Sequence, residues 1–64
     1  MPAPETNTRK IIARLGREGW VSVGGAKHEK FRHPDKREPI LVPRHKTLSF
    51  KVALGIAKAA GWRD

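Results

Sequence analysis

Cysteine is absent from all 64 residues. That excludes a disulfide framework and any zinc site built on thiolates. Acidic residues are scarce as well, with 6 Asp and Glu against 14 Lys and Arg. No apolar run approaches the length needed to span a bilayer. Neither helical stretch pairs a wide apolar face with a lysine-rich one, which argues against a membrane surface as partner. The opening residues "MPAPETN" lack the charged and apolar regions of a secretory signal, so a cytoplasmic location is expected.

What the chain does have is positive charge. Its formal net charge is +8 and its sequence pI is near 11.0. A domain this basic attracts polyanions by counterion release, and nucleic acid is the polyanion expected. An acidic protein partner is compatible with the same charge. Hydrophobic residues at 38% suit one small compact core.

The pattern along the chain predicts α-β-β-β-α. Residues 1–5 read as a loose tail, followed by a single domain over 6–64. Thr6, Asn7 and Thr8 are candidate N-caps for a helix over "TRKIIARLGREG". In that helix Ile11, Ile12 and Leu15 face inward, Arg9, Lys10, Arg14 and Arg17 face water, and Gly19 supplies a left-handed stop. "WVSV", "KHEKFRH" and "PILVP" read as strands. Gly24-Gly25 and "PDKRE" form the turns between them. Pro39 and Pro43 mark the third strand as an edge. "TLSFKVALGIAKAAGW" reads as a closing helix capped by Thr47 or Ser49 and stopped by Gly61. Its inward stripe is expected to hold Phe50, Leu54 and Ala57, with Val52, Ala53, Ile56 and Ala60 beside it. The fold class is α+β, a three-stranded antiparallel sheet with both helices on one face.

All three histidines, His28, His33 and His45, fall within residues 24–45. Side chains alternate across a strand. In "KHEKFRH", Phe31 is the large apolar residue and should meet the helices together with Glu29 and His33. His28, Lys30 and Arg32 then share the open face. A neutral imidazole there can take a proton from a hydroxyl. From spacing alone, an ordinary surface histidine is the favoured reading of His28. No metal site is indicated, because the histidines offer no helical i, i+4 pair. No carboxylate is placed to complete a Ser-His-Asp arrangement. His33 before Pro34 reads as a turn residue. His45 reads as a phosphate contact or a cap for the helix that follows. Trp20 reads as core, and Trp62 as packing or a partner contact.

Several of these stretches together resemble the HicA toxins of toxin–antitoxin pairs. "KIIARLGREGW" looks like the family's first helix and "HEKFRHPDKRE" like its central strand and turn. "VPRH" (Val42 to His45) is its most recognisable short motif, and "IAKAAGW" looks like its last helix ending. The resemblance implies a fold like a double-stranded RNA-binding domain. It implies metal-independent cleavage of mRNA, with His28 as the catalytic residue and no cofactor. Lys27, Lys30, Arg32, Arg44 and His45 would contact the RNA. Ala26-Lys27 stand where the family often has Gly-Ser. The implied partner is a HicB-like antitoxin, with no DNA contact by the toxin alone. A non-catalytic RNA-binding module or a small ribosome-associated protein would share the same basic face.

Overall fold

The computed structural model describes residues 4–62. Its elements are α1 (Thr8–Arg17), β1 (Val21–Gly24), β2 (His28–Arg32), β3 (Ile40–Pro43) and α2 (Phe50–Ala60). The strands form one antiparallel sheet in the order β1-β2-β3, so β2 is central and β3 is an edge. Both helices pack on one face of it, as the α-β-β-β-α pattern predicts for a double-stranded RNA-binding-domain-like α+β fold.

The caps explain where each helix begins. Asn7, one of three candidates, accepts from Lys10 N through its side chain at 3.1 Å. Thr8 instead donates its hydroxyl to the His45 carbonyl. Ser49 rather than Thr47 caps α2, accepting from Val52 N at 3.2 Å.

Both helices end in the same way. Gly19 has φ 96° and Gly61 has φ 82°, conformations that a side chain would strain. Around Gly19, Trp20 N donates to Leu15 O at 3.0 Å and Gly19 N to Gly16 O at 3.2 Å. Around Gly61, Trp62 N donates to Ala57 O at 2.8 Å and Gly61 N to Lys58 O at 3.2 Å. These are two complete Schellman motifs, and each satisfies carbonyls that the helix leaves open. Each is followed by a tryptophan, Trp20 in the core and Trp62 against Arg14 and Glu18 at the end of α1. Trp20 is therefore a buried cap residue, and β1 starts one position later than "WVSV" suggests.

The core joins Ile11 and Leu15 of α1 to Phe31, Ile40 and Val42 of the sheet, with Trp20, Leu48 and Ile56. Burying each such aliphatic side chain contributes roughly 1.5–3 kcal/mol. The stripe expected on α2 is displaced. Ala53, Ile56 and Ala57 are buried, whereas Phe50 is 59% exposed and Val52 is also exposed. At about 100° per residue, the stripe centred on Ala53, Ile56, Ala57 and Ala60 leaves Phe50 and Leu54 on one flank and Val52 on the other. Leu48, just before the cap, is buried in the core while Phe50 is not. Arg14 is a second correction. It is half-buried, with its guanidinium 4.4 Å from the centre of the Trp62 ring.

Of the expected tail, residues 1–3 lie outside the described residues, while Glu5 accepts from Asn7 N at 3.0 Å. Residues 63–64 lie outside them too. A short strap then closes the fold. Asn7 bridges Thr47, Thr8 N donates to Lys46 O at 3.1 Å, and Leu48 N donates to Thr6 O at 2.9 Å. The connection from β3 to α2 is thereby held against the start of α1.

Candidate functional site

The register of the sheet fixes what surrounds His28. His28 pairs with Pro43, Lys30 with Leu41, and Arg32 with Val21. Residues directly opposite across strands share a face. Alternation leaves His28, Lys30 and Arg32 exposed while Phe31 is buried against the helices. The open face therefore carries an imidazole and two cations in one row, spaced about 7 Å apart along β2. Each has an apolar neighbour across the ladder, with Leu41 52% and Val21 61% exposed. Lys27 lies in the turn just before β2. Leu41 and Val21 had no part in the site read from sequence, although the same two-residue alternation places them.

A glycine turn sets where His28 starts. Gly24 has φ 90° and Gly25 φ 131°. A Cβ built on Gly25 would sit 2.1 Å from the His28 carbonyl oxygen. No side chain fits there without moving the first residue of β2. The Gly25 carbonyl in turn accepts from Arg44 Nη2 at 2.8 Å. Arg44 Nη1 faces Glu29 Oε1 at 3.6 Å, and the Ser22 hydroxyl donates to Glu29 Oε2. Arg44, read from sequence as an RNA contact, thus ties β3's end to the turn that launches His28. Its side chain is still 49% exposed. Among the described residues, no side chain hydrogen-bonds the His28 ring.

His33 does something different from a simple turn residue. Its Nδ1 accepts from Asp35 N at 3.0 Å, so the ring proton belongs on Nε2. That Nε2–H donates to the Glu18 carbonyl at 2.9 Å, and the ring sits 5.1 Å from Trp20. Lys36 N closes the turn on the His33 carbonyl at 3.1 Å. His33 therefore staples the β2–β3 turn to the end of α1, at the far end of β2 from His28.

His45 is not brought to the open face. It does not cap α2, because Ser49 does. It lines a groove on the helix side between the first turn of α1 and the strap, with Arg9, Arg44 and Lys46. Among the described residues no group of three or more His, Asp or Glu side chains is arranged to hold a metal ion.

A family model described as HicA toxin of bacterial toxin-antitoxin matches residues 8–62. No curated protein matches the chain. The matched span runs from the first residue of α1 to the tryptophan that closes α2, so it takes in every element described above.

Proposed function

The chain belongs to the HicA toxin family of bacterial toxin–antitoxin systems, and from that premise we propose that it is an endoribonuclease acting on mRNA through His28. The domain would run from residue 6 onward. The observation that carries the reading is the row on the open face, an imidazole standing free beside Lys30 and Arg32.

RNA carries its own nucleophile. A ring nitrogen of His28 takes the proton from a ribose 2′-OH, and O2′ attacks the adjacent phosphorus. The P–O5′ bond breaks and the leaving oxygen takes up a proton. The products are a 2′,3′-cyclic phosphate on one fragment and a 5′-OH on the other. General-base help of this kind contributes about 10²–10⁴-fold. Lys30, Arg32 and Lys27 hold the phosphate and offset the charge that grows on it in the transition state. Leu41 and Val21 give ribose and base an apolar surface beside the cations. Arg44 serves chiefly by holding Gly25, and through it His28, in place. DNA lacks the 2′-OH and so offers no nucleophile for this reaction.

A toxin family implies a cognate antitoxin. We propose a HicB-like protein that presents acidic side chains to this row. Exposed apolar residues among the cations suit such a cover, since they are desolvated when it docks.

The test is incubation of purified protein with unstructured RNA in the presence of a chelator. Cleavage giving 2′,3′-cyclic ends supports the reading. Tight RNA binding without cleavage would replace the enzyme with a non-catalytic RNA-binding module on the same face.

A further inference from the structure

We propose that the groove between the first turn of α1 and the strap is a second phosphate subsite, holding single-stranded RNA a few nucleotides from the bond at His28. The proposal rests on the function argued above for the open face. It assigns a binding role to Arg9 and Lys46, which lie on the other side of the sheet.

The groove is lined by Arg9, Arg44, His45 and Lys46, with Glu29 as its carboxylate. Glu29 is already engaged by Ser22 and Arg44. Among the described residues no carboxylate pairs with Arg9 or Lys46, and both are exposed. Two uncompensated cations converge on one concave surface. The strap holds their backbones side by side, since Thr8 N binds the carbonyl of Lys46 itself. Glu5 binds Asn7 N beside the groove without pairing with either cation among the described residues, while Glu18 lies near the staple and Asp35 on the turn at the far end of β2.

Position makes RNA the favoured occupant. Pro43 is directly opposite His28, and Lys46 follows it by three residues, within about 11 Å of backbone. Arg44 stands between the two sites, half-exposed at the rim of the sheet. A phosphate chain leaving His28 meets Arg44 and then the groove. It must bend round the sheet end to do so. A single strand bends easily there, whereas a duplex is stiff over far longer distances.

The probe is a fluorescent oligoribonucleotide with 2′-O-methyl at every position, which binds but cannot be cut. A three-nucleotide and a twelve-nucleotide form are titrated against wild type and the double variant Arg9→Ala, Lys46→Ala. Wild type should bind the longer strand more tightly. The variant should keep its affinity for the short strand and lose about tenfold on the long one, with the salt slope reduced by about 1.4 for two phosphate contacts. Restored length dependence in Arg9→Lys, Lys46→Arg, with an unchanged melting midpoint in all forms, would confirm that the charge matters. Equal weakening of both strands, or no gain with length in wild type, overturns the proposal. So does full RNA binding combined with lost antitoxin binding, which would make the groove a protein-docking site. Because the probe is uncleavable, a failed cleavage assay with intact length dependence would remove the catalytic reading and leave the subsite standing.

Discussion

The indole N–H of Trp62 donates to Glu18 Oε1 at 2.7 Å across 44 residues of sequence. The other carboxylate oxygen of Glu18 accepts from Arg14 Nε at 3.1 Å, and the Arg14 guanidinium lies over the Trp62 ring. The ends of the two helices are thus joined by one ring, one carboxylate and one cation. Hydrogen bonding from Trp62, against the opposing effect of burial and aided by Arg14 and Arg17, holds the Glu18 carboxyl below its ordinary range.

That direction makes a pH prediction. A carboxyl whose folded pKa is depressed adds stability above its unfolded value of about 4.3, and this is lost as pH falls through the folded one. Wild type should therefore lose more stability on acidification than Trp62→Phe, which removes the indole donor. At neutral pH the substitution should cost about 1 kcal/mol, a modest figure because Glu18 is well exposed. Urea melts at neutral and acid pH measure both quantities.

His33→Ala removes the staple and leaves the Glu18 carbonyl and Asp35 N–H without that partner. The expected loss is about 1–3 kcal/mol of stability. The folded fraction should cut RNA at the wild-type rate, because the open-face row is untouched. A rate loss beyond the unfolded fraction would tie His33 to the chemistry.

His28→Ala should abolish cleavage and growth inhibition, a fall of at least about 10²-fold. Its circular dichroism should stay native and RNA binding should persist, since the ring is exposed and unpartnered among the described residues. Toxicity in the folded variant would contradict the assignment.

Gly25→Ala forces a Cβ toward the His28 carbonyl at a φ that side chains avoid. It should cost about 1–3 kcal/mol from backbone strain, with the clash in addition. Cleavage should fall by far more than the folded fraction does. Arg44→Ala should move activity in the same direction through the lost brace on Gly25. Amide chemical shifts at His28 would report the displacement in either variant.

Lys30→Ala with Arg32→Ala should weaken RNA binding with little dependence on base sequence, because phosphate contacts carry no direct sequence information. Each lost contact should lower the salt slope by about 0.7. Unchanged affinity and slope would place the RNA on another face.

Local patterns made much of this fold legible. "REGW" and "AAGW" mark both helix ends, because a Schellman motif needs glycine at one position and favours an apolar residue at the next. The single phenylalanine of "KHEKFRH" was enough to sort β2 into inner and outer faces. Phe50 lies outside the buried stripe because periodicity finds an apolar arc but not the part of it that meets the core, here Ala53, Ile56 and Ala57. Arg44's hold on Gly25 spans 19 residues, and His33's on Glu18 spans 15. Contacts of that separation leave no local trace. The groove of Arg9 and Lys46 lies where the strap pairs Asn7 with Thr47, 40 residues away in sequence.

Among the described residues no further strand covers either edge of the sheet, which ordinarily invites another chain to add on and start an aggregate. Here neither edge offers a usable run. β1 is broken by a bulge between Ser22 and Gly24, and β3 is four residues long, with Pro39 just before it and Pro43 as its last residue. If the antitoxin covers the basic face as proposed, a released toxin exposes that face without also exposing a template for self-assembly. Free toxin should therefore stay monomeric and dispersed at concentrations where an unbroken edge of the same length would begin to polymerise.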